Sequence, residues 1–198
     1  MILNKQYRKL ERMGTKTGII TLFLLAHSIL LAMMLFTFPR INTKMGREAF
    51  DLKTFGYSQT EAIGMIKNLD QSTINFYIFP QLFFLDLLYP FLLALFLSVV
   101  IVRLSNLIKI NQNRIYSNLF ILPFIAMIFD YFENILIWQM ITNLEGLSPL
   151  VFKLASIFTQ LKGAFTSLSW IVILILLILW VIKKLGINKE RVNTEQSN

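Results

Sequence analysis

The apolar residues of this chain are gathered into four long runs, at 18–38, 78–102, 118–142 and 164–182. Each is close to the ~20 residues that a helix needs to cross the hydrocarbon of a bilayer. Lipid offers the backbone no hydrogen-bonding partner, so a spanning segment must be a helix or part of a closed barrel. Runs this long and continuous select the helix. The overall balance agrees: 56% of the residues are hydrophobic and the mean hydropathy is +0.62, outside the range of ordinary soluble domains. The expected fold is all-α, a polytopic membrane protein built as a four-transmembrane-helix bundle over 18–186, with a basic segment at 1–17, an outer loop at 39–77 and a polar tail at 187–198.

The first run follows cationic residues, as a signal peptide would. Its apolar stretch is longer than a usual signal core, and "MLFTFPRIN" holds no small-x-small cleavage site, so it is read as the first span. There is no cysteine, which removes disulfides, thiolate metal sites and thiol redox chemistry.

Charge sets the expected orientation. Lys5, Arg8, Lys9, Arg12, Lys16, Arg103, Lys109, Arg114, Lys183, Lys184, Lys189 and Arg191 fall on one side. Arg40, Lys44, Arg47, Lys53, Lys67, Lys153 and Lys162 fall on the other. The richer side is cytoplasmic by the positive-inside bias, which puts both termini in the cytoplasm and the protein in the cell membrane. The net charge of +8 is then a topology signal, and no folded basic domain is left to bind nucleic acid.

Three polar segments have helical character. In 1–17, Leu3, Tyr7 and Leu10 share a side, with cations over much of the rest, the pattern of an interfacial helix. In the outer loop, Ser58-x-x-Glu61 is a capping box, followed by Ala62, Met65, Ile66 and Leu69 at helical spacing. This predicts a short amphipathic helix lying on the membrane or over the bundle mouth. After Ser148-Pro149, Leu150, Leu154, Ile157, Phe158 and Leu161 form a stripe, with Gly163 as a kink before the fourth span. Gln81, Trp138, Gln139 and Trp170 are read as interfacial residues.

Chemistry is expected where polar groups enter the apolar runs. In "PFIAMIFDYFENILIWQMI", Asp130, Glu133 and Asn134 lie three and four apart and so share a face. In "LDLLYPFLLAL", Asp86, Tyr89 and Pro90 do the same, and Pro90 leaves the Asp86 carbonyl without its helical donor. At about 1.5 Å per residue, these acids and His27 of the first span lie roughly 12–18 Å below the outer helix ends, in one slab. An ionisable residue at mid-membrane costs about 2.5–3.5 kcal/mol on insertion scales and marks a protein-lined interior. Asp86, Asp130, Glu133, Asn134, His27 and Tyr89 are therefore the candidate ligand-binding residues, and Pro90 and Pro123 the candidate kinks. Their spacing matches no metal-ligand motif, and nothing calls for a cofactor.

The combination of "GYS" (56–58), "LDLLYP" (85–90) and "DYFEN" (130–134) resembles a group of small bacterial four-span membrane proteins with a D-x-x-[YF]-P helix and a D-x-x-E-N helix. The resemblance covers about 18–182 and implies a bundle but no particular activity. In architecture alone the chain is also similar to the sterol-isomerase and sigma-2-receptor type of bundle, which keeps acids in a membrane pocket for amphipathic cations. The expectation from the residues is an acidic pocket for a small polar or cationic, lipid-like ligand, with or without catalysis. Proton or cation handling is one alternative. The other is a non-catalytic assembly subunit, self-associating or bound to a membrane partner, whose acids join helix to helix.

Overall fold

The computed structural model describes residues 2–109 and 118–195, with side chains over 5–109 and 118–186. Every regular element in them is helical. α1 (Ile2–Met13) is followed by Thr15, whose hydroxyl accepts from the Gly18 N–H and so starts α2 (Lys16–Met45). α3 (Gln59–Lys67) is capped by Ser58, which accepts from the Glu61 N–H as its capping box requires. α4 (Gln71–Ile108) starts under Asp70, which caps it through the Thr73 N–H. α5 (Leu119–Thr142) and α6 (Pro149–Glu195) complete the chain.

Four of these helices, α2, α4, α5 and α6, are long and apolar enough to cross a membrane. Their burial differs from that of a soluble protein. Ile20, Leu31, Phe36, Leu174, Ile178 and Ile182 are exposed, whereas Thr73, Gln81, Ser98, Glu133, Thr159 and Ser169 are buried. An apolar belt around a partly polar interior is the arrangement a lipid solvent stabilises. α4 is central: α1, α2, α5 and α6 all pack against it, and α5 and α6 form the most extensive pair. We call the end carrying residues 46–70 the upper end and the end carrying α1 the lower.

The helices differ from the sequence expectation in extent. α2 does not stop at Phe38. A π turn over Met33–Thr37, in which the Phe38 N–H reaches the Met33 carbonyl, lets it continue through Pro39, which has no N–H to offer. α4 starts seven residues earlier than expected and breaks at Phe79, whose φ/ψ of −140°/123° precede a cis Pro80. Neither expected kink interrupts its helix. Pro123 lies in the first turn of a helix, where its missing N–H has no partner to lose, and α4 runs unbroken through Pro90. Gln81 is buried rather than interfacial, accepting a hydrogen bond from Thr37 (2.5 Å).

The largest correction concerns the fourth span. Residues 149–161 are not a separate connector, and Gly163 does not kink the chain, because one helix runs from Pro149 to Glu195. Its inward face is not the stripe of Leu150 and Ile157, which are exposed, but Phe152, Ala155, Ser156 and Thr159, which are buried. α1, read as an interfacial helix, packs on the lower end of α4: Leu10 is buried, and the Tyr7 hydroxyl donates to Asn106 (2.7 Å). The Leu3 side chain, Arg114 and the charged tail from 187 onward lie outside the described side chains.

Candidate functional site

The outer loop packs into the upper core: the α3 face of Ala62, Met65 and Ile66 joins it, and so does the turn that precedes α3. Phe50–Leu52 forms a single tight turn whose Phe50 is fully buried, and Tyr57 follows with its ring 4.8 Å from that of Phe50. Gly56 makes the return possible. Its φ is +80°, and a Cβ there would run into Ser156 and Gln160 of α6. The next residue fastens the turn, with the Tyr57 N–H donating to Ser156 Oγ (2.9 Å). "GYS" is thus an anchor: glycine for close approach, tyrosine for burial, serine to cap α3. Burial first, and then the charge of Glu133, hold the Tyr57 phenol above its ordinary range.

Beneath this plug two acids of α5 meet a lysine of α6. Lys162 Nζ lies 2.8 Å from Asp130 Oδ1 and 2.6 Å from Glu133 Oε2. The Thr159 hydroxyl, one turn earlier, donates to Glu133 Oε1 (2.5 Å). Glu133 is 0% exposed, so this ion pair is enclosed by protein. Asp51 of the plug accepts from the buried Tyr77 hydroxyl (2.5 Å) and faces Asp86.

The freed carbonyl at Asp86 has found a donor across the helix interface: Asn134 Nδ2 reaches it at 3.2 Å. Tyr131 makes a parallel contact, its hydroxyl donating to the Leu87 carbonyl (2.8 Å). The D-x-x-Y-P helix and the D-x-x-E-N helix are therefore joined through backbone that the proline left open.

These groups surround a cavity of about 320 Å³ between α2, α4, α5 and α6. Asp51, Asp86, Tyr89, Asp130 and Lys162 line its upper part, and Leu30, Leu97, Pro123 and Ala126 its lower part. Asp86 is 3% exposed and Asp130 8%, and Oδ2 of each has no hydrogen-bond partner. Around the cavity stand four carboxyls, Asp51, Asp86, Asp130 and Glu133, and one ammonium. Buried carboxyls in such excess want protons, donors or a cation. Among the described residues, no three acidic or histidine side chains come together as a group that could hold a metal ion.

Of the residues predicted from sequence, Asp86, Tyr89, Pro90, Pro123 and Asp130 line the cavity. Glu133 stands behind Lys162, and Asn134 is spent on the Asp86 backbone. His27 is not among them. It lies lower on α2, with Nδ1 2.9 Å from the Phe23 carbonyl and its ring stacked on Phe23. Asp51 and Lys162 were missed. Lys162 reads as an outer-loop cation until Phe152, Ala155, Thr159, Lys162 and Thr166 are seen to recur at alternating steps of three and four, one helical face of mostly small or polar residues. Asp51 carries only the faint signal of an acid between two apolar residues in a polar loop.

Comparison with known protein families, with curated proteins and with solved structures gives no match to this chain. The functional reading therefore rests on the geometry above.

Proposed function

We propose that this chain is a multi-pass protein of the cell membrane, both termini cytoplasmic, whose bundle binds a small ligand with a cationic head and an apolar body. The observation that carries the reading is the pair of buried, unpartnered carboxylate oxygens, Oδ2 of Asp86 and of Asp130, at the polar upper end of a cavity whose lower wall is apolar. Lys162 is already engaged by Asp130 and Glu133, so its ammonium is not free to serve Asp86 as well. A ligand ammonium placed by Asp86, with Tyr89 beside it, serves it instead. An anionic ligand would meet the acids head-on. His27 has no role in this reading. A second reading is favoured for one part of the cluster: Glu133, fully buried and held by Lys162 and Thr159, joins α5 to α6 rather than facing a ligand.

The test is thermal unfolding of the purified chain beside Asp86→Asn, each titrated with alkylamines. The expected outcome is an amine-dependent rise in Tm for the wild type that is absent in the variant. The variant itself should melt no lower than wild type, because it loses a buried carboxyl whose Oδ2 has no partner. A less stable Asp86→Asn, together with a wild type that no amine shifts, refutes the reading. Orientation is checked separately, since any introduced cysteine stands alone in this chain. Ser58→Cys should react with an impermeant maleimide from outside intact cells, and labelling only after lysis refutes the assigned sidedness.

A further inference from the structure

The cavity is graded from end to end, and exposed residues line it in two places. Its acids sit at the upper end, while Leu93, Leu97, Met33 and Met127 form the walls lower down. The upper place lies at the plug, where Asp51 is part-exposed and Thr54 exposed. The second lies in the side of the bundle. α2 and α6 both line the cavity, yet each packs on α4 rather than extensively on the other. Leu30 on α2 and Ser167 on α6 flank the seam between them, and Ser167 is an exposed residue although it lines the cavity.

The seam has a definite top and bottom. Above, the plug rides on α6, where a Cβ at Gly163 would lie 3.2 Å from Thr54 Cγ2. Below, an aromatic row crosses from α2 through α4 to α6: Phe23 to Phe96 at 5.5 Å between centroids, and Phe96 to Trp170 at 6.2 Å. A window between these limits would lie at the level of the apolar spans.

We propose that the ligand of this site is a single-chain amphiphilic amine dissolved in the membrane, which enters sideways between α2 and α6 and binds with its ammonium at Asp86 and its chain directed down the apolar wall. This rests on the reading of the cavity as an amine site and goes beyond it in route, orientation and ligand class. The polarity gradient fixes the orientation: the unpartnered Oδ2 of Asp86 is at the top and nothing below Tyr89 on α4 offers charge. Size favours a single chain: at about 320 Å³ the cavity is at the small end of the range for ligand pockets, about 300–1,000 Å³. The rest of a longer chain leaves through the window into lipid. A water-soluble amine passing the plug would have no use for the apolar lower wall.

The experiment uses the full chain in phosphatidylcholine nanodiscs, with dodecylamine and butylamine as probes and intrinsic tryptophan fluorescence as readout. Ser167→Trp blocks the window from α6, and Leu30→Trp blocks it from α2 should the first fail to fold. Thr54→Trp blocks passage at the plug, and Asp86→Asn removes the head contact. Dodecylamine is expected to bind wild type at least about 100-fold more tightly than butylamine, the chain adding burial in proportion to its length. Either window variant should weaken or slow binding at least about tenfold, and Thr54→Trp should stay within about twofold of wild type. Asp86→Asn should lose about 10- to 100-fold, the range for a hydrogen bond to a charged group. If Thr54→Trp blocks binding while the window variants do not, or if butylamine binds as well as dodecylamine, the sideways route is overturned and the amine site stands. If neither amine binds wild type, or both bind Asp86→Asn equally, the amine site itself falls.

Discussion

Replacing Lys162 by methionine keeps most of the side-chain volume and removes the one ammonium that faces Asp130 (2.8 Å) and Glu133 (2.6 Å). Breaking a buried ion pair by deleting one partner costs about 3–5 kcal/mol, because the other charge is left uncompensated. Here the lower end of that range applies, since two orphaned carboxyls can each take a proton instead of staying charged. For a chain of this length, about 3 kcal/mol corresponds to a fall in Tm of about 6–12 °C. The reasoning makes a sharper claim about the combined variant. Lys162→Met with Asp130→Asn and Glu133→Gln removes all three charges together, and such replacements are about neutral or stabilising by 1–4 kcal/mol. The triple variant should therefore melt at or above wild type although it carries the damaging substitution. Circular dichroism of the purified variants in one detergent, heated at one rate, measures both. A single variant within about 2 °C of wild type means that Lys162 does not hold these carboxyls, and a triple variant as unstable as the single one means that the loss came from packing.

Two further outcomes follow from contacts elsewhere. Asn134→Leu strips the donor from the Asp86 carbonyl and should cost about 1–3 kcal/mol, whereas Pro90→Ala restores the helical N–H to that carbonyl, so the double variant should recover most of the loss; simple additivity in a double-mutant cycle of melting temperatures would refute the pairing. At the plug, Lys53 holds the Glu61 carboxyl below the ordinary range through a 2.6 Å contact, with side chains 16% and 24% exposed. A carboxyl lowered in the folded state contributes stability that is present above its unfolded pKa of about 4.3 and is lost as pH falls through its folded value. Lys53→Met should therefore lie below wild type by about 1 kcal/mol or less near pH 7 and converge with it in acid, and a gap in melting temperature that stays constant down to pH 2 would rule the pair out.

Much of the fold was legible because lipid imposes a length and soluble loops do not. Four runs of near 20 residues announce four long helices, Ser58-x-x-Glu61 announces a fifth, and all five are where the sequence put them in outline. The orphaned carbonyl at Asp86 was legible too, because Pro90 removes a specific donor whatever surrounds it; that Asn134 would fill the place was not, since periodicity states which residues share a face and not what the face meets. Lys162 stayed hidden for a related reason. Its helical face is built from alanine, serine and threonine, which add little to a hydrophobic pattern, so the exposed leucines of the same helix dominate the reading. His27 misled in the opposite direction: an equal depth along its own helix says nothing of rotation about the axis, and its ring turned out to belong with Phe23 and Phe96. Asp51 had no periodicity to betray it, being part of a three-residue turn.

The union of α5 and α6 also bears on how the chain is made. The helix carrying Asp130 and Glu133 has the lowest hydropathy of the four, 1.8 against 2.4 to 2.7 for the others. It leaves the ribosome before Lys162, Thr159 or the seat of the plug exists, for Tyr57 waits for Ser156, 99 positions later. During that interval its two carboxyls lack the Lys162 counter-charge, so α5 is the span expected to settle least readily by itself and to enter a bilayer together with α6. A ribosome halted before residue 162 would leave a chain with three helices committed in sequence but only two at rest in the membrane.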